Sequence, residues 1–169
     1  TSGGGFSLMV EALGLSGMCE VPIVVVNVQR PGPATGHATR HEQADLLFTI
    51  YAAQGEFPRV VLAPATIEQC FEAAYRAFNL AEKYQCPALI LSDAFLAHSP
   101  RALEMDALDL NVPIERGAVL SDEQLDQLAG PYLRHAVTDS GISPRALPGH
   151  PRAVYSVSSD EHEPDGHIC

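Results

Sequence analysis

One segment constrains the fold of this chain more than any other. Pro22-Ile23-Val24-Val25-Val26-Asn27-Val28 is a continuous, mostly β-branched run with no helical stripe and no clean apolar–polar alternation. Such a run reads as a strand buried on both faces, the kind found in parallel sheets covered by helices. It stops at Gln29-Arg30-Pro31-Gly32-Pro33-Ala34-Thr35-Gly36-His37-Ala38, a loop dense in chain breakers.

The flanking sequence alternates around that strand. Upstream, Thr1-Ser2-Gly3-Gly4-Gly5 precedes Phe6, Met9, Val10 and Leu13, spaced as one helix face. Gly14, Ser16 and Gly17 loosen that helix, and Pro22 forbids its continuation. Downstream, Thr39-Arg40-His41-Glu42 matches a capping box with Thr39 as N-cap, followed by Ala44, Leu47, Phe48 and Tyr51 on one face. A second strand is expected at Val60-Val61-Leu62-Ala63, and a second capping box at Thr66-Ile67-Glu68-Gln69. Ile67, Cys70, Phe71, Ala74, Phe78 and Ala81 then form a long amphipathic stripe, and Ala88-Leu89-Ile90-Leu91 a third strand. The expected class is α/β, a parallel sheet with helices on both faces, over residues 1–98. Residues 99–150, broken by Pro100, Pro113, Pro131, Pro144 and Pro148, read as a connecting arm with one short helix near 121–129. Residues 151–169 read as the start of a second domain, opening with a strand at 154–157. Both ends read as cut, with the first residue already inside a strand-to-helix turn.

Charge and cysteine usage narrow the function classes. With 10 Lys+Arg against 21 Asp+Glu the formal charge is −11, which argues against nucleic acid or an anionic membrane surface as partner. The apolar stretches fall far short of the roughly 20 residues of a membrane span. The cysteines at 19, 70, 86 and 169 include no C-x-x-C pair for zinc or an iron–sulfur cluster. They read as reduced thiols of a cytoplasmic protein, mostly small buried hydrophobes. No secretory n-region is visible.

Ligands of open parallel sheets bind outside the carboxyl ends of the strands, and two loops belong there. Residues 1–5 offer backbone N–H groups before a helix, either an anion or polar-ring site or a tight turn letting the helix approach its strand. Arg30 emerges where a buried strand ends, a costly place for a guanidinium unless something anionic meets it. That partner is either a ligand carboxylate held bidentately or an internal acid. Thr35 either donates its hydroxyl to the same ligand or shapes the turn. Weaker constellations are a metal at His37 and His41 or at Glu161, His162, Glu163, Asp165 and His167, where a loop and a solvated turn are the plainer readings. Asp93 ends the third strand, facing a ligand or capping the next segment. A hydrolase has no support, since no G-x-S-x-G elbow is present.

Together these motifs resemble the alpha subunit of 2-oxoacid:ferredoxin oxidoreductases, the 2-oxoglutarate branch above all. The resemblance rests on residues 1–9 (Thr1-Ser2-Gly3-Gly4-Gly5 onward), on Asn27-Val28-Gln29-Arg30-Pro31-Gly32-Pro33-Ala34-Thr35-Gly36, and on Glu42-Gln43-Ala44-Asp45-Leu46. It continues through Gly55-Glu56-Phe57-Pro58-Arg59, Phe78-Asn79-Leu80-Ala81-Glu82, Gly141-Ile142-Ser143-Pro144-Arg145 and Glu161-His162. It implies that residues 1–98 are the larger part of a thiamine diphosphate pyrimidine-binding domain. It further implies oxidative decarboxylation of a 2-oxoacid to acyl-CoA, with coenzyme A as acceptor and electrons passed singly to ferredoxin. By the same resemblance, Mg2+ and a [4Fe-4S] cluster belong to a partner beta subunit of a hetero-oligomer. Arg30 matches the arginine that clamps the substrate carboxylate, Thr35 lies with it as substrate-binding, and Thr1, Ser2 and Gly3 border the aminopyrimidine. No catalytic residue is expected within the chain, because the glutamate that drives ylid formation is expected upstream, as is a Tyr-Pro-Ile-Thr-Pro loop. His37-Ala38 stand where Leu-Pro is usual, His41 where Thr is usual, and Ala44 where Gly is usual. The competing readings are a non-catalytic binding or scaffold module, or relic fragment, that retains the fold, and an unrelated nucleotide-binding domain.

Overall fold

The computed structural model describes residues 1–169, which divide into two compact units, Thr1–Glu115 and Arg116–Cys169. In the first unit, α1 (Gly3–Ser7) and α2 (Val10–Cys19) lead into β1 (Ile23–Gln29), followed by α3 (Leu46–Ile50) and β2 (Val60–Leu62). The long helix α4 (Ile67–Tyr84) then runs to β3 (Pro87–Asp93), which ends in the single turn α5 (Ala94–Ala97). The three strands form one parallel sheet in the order β1-β3-β2, with Val24 beside Ala88 and Val60 beside the same residue. The α/β class and the helix-covered parallel sheet are therefore as the sequence implies.

Period-two alternation sorts the strand side chains into two cores. Ala88 and Ile90, with Val24, Val60 and Leu62, meet Ala73, Ala77 and Ala81 of α4. Leu89 on the opposite face meets Phe6, Leu13 and Ala52, backed by Val25, Phe57 and Val61. Phe6 extends this second core through an edge-to-face contact with Phe48, ring centroids 5.0 Å apart.

Several local expectations are corrected. The strand buried on both faces is β3, from Pro87 to Ser92, whereas β1 lies at the flank of the sheet with Val26 exposed. Thr1 pairs with that flank: its nitrogen donates to Val26 O at 2.9 Å, and Val28 N donates to Thr1 O at 2.7 Å. The first helix breaks into two at Leu8 and Met9, and its glycines do not end it, because it runs to Cys19 and stops on left-handed Glu20. Thr39 caps nothing. Residues 41–45 are non-helical and α3 starts only at Leu46, since side chains of the sheet engage this segment: Gln43 donates to Asp93 and Asp45 N–H to Gln29.

Thr66 does cap α4, accepting from Gln69 N at 3.2 Å, but the Gln69 side chain reaches back to Ala65 N rather than to the cap itself. The buried face of α4 is rotated from the expected stripe, with Ala73, Ala77 and Ala81 inward and Phe78 and Ala74 exposed. Small side chains let the helix axis approach the sheet, and the large ones are displaced outward. Residues 113–115, at the end of the first unit, are tied to α4 by Asn79, whose Nδ2 donates to Pro113 O while its Oδ1 accepts from Glu115 N.

The second unit has its own small core of Leu125, Tyr132, Ala146 and Ala153. The expected short helix is α6 (Asp122–Asp126), closed by a full capping box between Ser121 and Gln124. Tyr132 OH donates to Pro144 O and accepts from Ala146 N, and its ring meets Tyr155 edge-on. Residues 154–157 carry no strand. Their neighbourhood is held by turns and one isolated bridge, His162 with Ile168.

Candidate functional site

The carboxyl end of β1 builds the site. Along its last residues Asn27 and Gln29 point to one side and are buried, polar interruptions in an otherwise apolar strand. Gln29 Nε2 donates to Ser92 O at 3.2 Å, and its Oε1 accepts from Asp45 N at 2.9 Å. Asn27 Nδ2 donates to Asp45 Oδ2 at 3.1 Å. Two strand amides thus hold the start of α3 against the point where Arg30 leaves the sheet.

Arg30 is half-buried and makes no ion pair or hydrogen bond within the protein. The internal-salt-bridge alternative therefore has no partner here. Arg30 lines a cavity of about 170 Å3 with Gly3, Gly4, Ser7, residues 31–34, Asp45 and Phe48. The loop behind it is closed by Gly36 N donating to Pro33 O and His37 N donating to Pro31 O, both at 3.1 Å. Gly36 takes φ +57°, and a Cβ there would run into the Pro31 carbonyl, so this turn requires glycine.

Of the other sequence-nominated residues, Gly3 lines this cavity. Thr1 and Ser2 stand beside it in the turn, the Ser2 carbonyl accepting from Phe6 N at 2.8 Å, and Thr35 is exposed and does not line the cavity. His37 and His41 share no helix. His41 instead packs edge-on against Phe95, ring centroids 5.6 Å apart. No group of three or more His, Cys, Asp or Glu side chains comes together to hold a metal. Asp93 caps α5 by accepting from Leu96 N at 2.8 Å, and it also takes Gln43 Nε2 at 2.6 Å. These bonds, the Leu96 N–H first and Gln43 next, hold its carboxyl below the usual range. Asp45, Asn27 and Gln29 were not singled out from the sequence; the pair of amides two apart inside an apolar strand was the available signal.

A larger cavity of about 720 Å3 opens at the ends of β2 and β3, lined by Gln29, Gln43, Thr66, Asp93, Ser99 and Arg101 among mainly apolar residues. Those polar side chains are already engaged within the protein, Arg101 by an ion pair with Glu68. The unengaged charge is in the smaller cavity, and that makes the Arg30 cavity the candidate substrate site.

A family profile described as pyruvate flavodoxin/ferredoxin oxidoreductase, thiamine diphosphate-binding, matches residues 1–168. The chain belongs to that family. It is 44% identical over 169 residues, 99% of its own length, to 2-oxoacid:ferredoxin oxidoreductase 1, subunit alpha, of Sulfurisphaera tokodaii. It is 38% identical over 95% of its length to 2-oxoglutarate oxidoreductase subunit KorA of Mycobacterium tuberculosis. It spans about a quarter of these relatives, 26% and 24% respectively. Among solved structures, 2-oxoglutarate:ferredoxin oxidoreductase from Magnetococcus marinus, with 2-oxoglutarate, coenzyme A and succinyl-CoA bound, superposes with a TM-score of 0.84 at 37% identity. That match covers 99% of this chain and 28% of the other.

The site fits one end of the family's cofactor. Gly3 and Gly4 present backbone without side chains, and Asn27 Oδ1 is a buried acceptor without a partner, beside a carboxylate with unfilled capacity. This suits a flat ring carrying N–H donors.

Proposed function

We propose that this chain is the pyrimidine-side portion of the alpha subunit of a thiamine diphosphate-dependent 2-oxoacid:ferredoxin oxidoreductase, with 2-oxoglutarate as the favoured substrate. The complete enzyme decarboxylates the 2-oxoacid oxidatively, transfers the acyl group to coenzyme A and passes electrons to ferredoxin. The observation that carries this reading is Arg30, a half-buried cation without a protein partner in a cavity shared with the glycine turn. When bound, the cofactor supplies a thiazolium carbon that accommodates the electron pair released on decarboxylation. Arg30 holds the substrate carboxylate in a fork of two hydrogen bonds, and Thr35, outside the cavity lining, reaches the same ligand only with a movement of its loop. Thr1, Ser2 and Gly3 border the pyrimidine, and the Gln29 clamp keeps the Arg30 backbone from drifting.

A beta subunit carrying the diphosphate site, Mg2+ and a [4Fe-4S] cluster completes the active site in this proposal. The names of the relatives as alpha subunits support a hetero-oligomer. Four free cysteines, two of them buried, suit a reducing cytosol, and no helix is long and apolar enough to cross a membrane.

The test uses native material. An antibody against this chain retrieves its complex from source cells, and reduction of a viologen dye is followed with a panel of 2-oxoacids and coenzyme A. Dye reduction dependent on both, strongest with 2-oxoglutarate, is the expected result. An iron–sulfur partner without activity would support the scaffold reading instead, and neither partner nor activity would remove the enzyme reading altogether.

A further inference from the structure

The hydrogen-bond accounting around Asp45 does not close. Its Oδ2 accepts from Asn27 Nδ2 and its backbone N–H is taken by Gln29, but its Oδ1 receives no bond from the protein. Asn27 Oδ1, in a residue buried to 0% exposure, is likewise without a donor. A carboxylate has capacity for about four hydrogen bonds, so the cluster carries a surplus of acceptors and what completes it is a donor.

Arg30 could have supplied that donor from within the chain. It lines the same cavity, yet the two groups form no ion pair. Each charge therefore stays available to a different part of what binds. A 2-oxoacid presents only acceptors, its carboxylate and keto oxygens, so it answers Arg30 and leaves Asp45 unanswered. The partner of Asp45 is a group bearing N–H.

The glycine turn explains how that carboxylate reaches the cavity. A Cβ on Gly3 would stand 3.0 and 3.2 Å from the two Asp45 carboxylate oxygens, closer than side-chain carbons normally approach. Bare backbone at Gly3 thus makes room for the Asp45 carboxylate, and both border the cavity.

We infer that Asp45 is a ligand-contacting residue, its free carboxylate oxygen accepting a hydrogen bond from the amino group of the cofactor's pyrimidine. The inference rests on the thiamine reading above. It divides the cavity between two ligands, Arg30 taking the anionic substrate and Asp45 the donor edge of the cofactor.

The experiment measures binding rather than turnover. Apo-complex containing the full-length alpha subunit is titrated with thiamine diphosphate and with oxythiamine diphosphate, in which a carbonyl replaces the amine. Wild type is expected to prefer the amine by about tenfold or more, since a hydrogen bond to a charged group is gained with one compound and opposed with the other. Asp45→Asn, nearly the same shape and able to donate to the carbonyl, is expected to bring the two affinities within about twofold. Asp45→Glu, which keeps the carboxylate but moves it by one methylene, is expected to shrink the preference as well and gives a second reading if Asp45→Asn does not fold. A preference undiminished in whichever variant melts like wild type would overturn the role of Asp45 while leaving the cofactor assignment standing. Failure of the wild-type complex to bind either compound would overturn the thiamine reading first, and this inference with it.

Discussion

Replacing Gln29 with methionine tests whether the end of β1 is held as described. Methionine matches glutamine in length and fills the space without hydrogen bonds. The substitution removes the 3.2 Å bond to Ser92 O and the 2.9 Å bond from Asp45 N. Ser92 is buried and Asp45 half-buried, so the orphaned carbonyl carries the larger penalty and the amide the smaller. At about 1–3 kcal/mol for each buried group left unsatisfied, the sum is about 2–4 kcal/mol. With a urea m-value near 2 kcal/mol/M for a unit of this size, the unfolding midpoint falls by roughly 1–2 M. Urea titration followed by far-ultraviolet circular dichroism is the assay, comparing the 169-residue chain with and without the change. A midpoint shift below about 0.3 M would show that the clamp contributes little and that Arg30 is placed by something else.

Two further outcomes follow from the packing and the caps. Ala77 is fully buried between α4 and the sheet, so Ala77→Leu overpacks that contact by about 1–3 kcal/mol and lowers the melting temperature by several degrees; an unchanged melt would mean the helix sits farther from the sheet. Asp93 has its pKa lowered by Leu96 N–H and Gln43, so its stabilising contribution is complete above the ordinary carboxylate pKa of about 4 and is lost as pH falls through the lowered value. Asp93→Asn keeps a capping oxygen that does not titrate, and a series of melts across the acid range should therefore show a shallower loss than wild type. Parallel acid limbs would remove Asp93 from the account.

The strands were legible because β-branched runs between prolines leave little choice, and α4 because its cap and its length are both written locally. What depended on a neighbour was not. Phe71 and Phe78 dominate any count of apolar residues on α4, yet contact with a sheet selects Ala73, Ala77 and Ala81. The Thr39–Glu42 pattern is a proper capping box on paper, but Gln29 and Asp93 capture the following segment from strands far away in sequence. Arg30 stood out because a charge at a strand end is conspicuous. Its supporting residues did not, since Asn27 and Gln29 show their purpose only when Asp45 arrives opposite them. The central position of β3 needed the pairing order, which no single strand carries.

The proposed role of Arg30 as receiver of a substrate carboxylate is tested by one kinetic comparison. In the full-length complex, Arg30→Ala removes a fork of two charge-assisted hydrogen bonds, about 3 kcal/mol at the lower values suited to a half-buried group, or roughly 10²-fold in kcat/KM for the 2-oxoacid. Arg30→Lys should recover part of that loss, since it restores charge without the fork. With assembly and cofactor binding intact, a fall of that size with partial rescue by lysine is expected. A kcat/KM within about threefold of wild type in the alanine variant would contradict it.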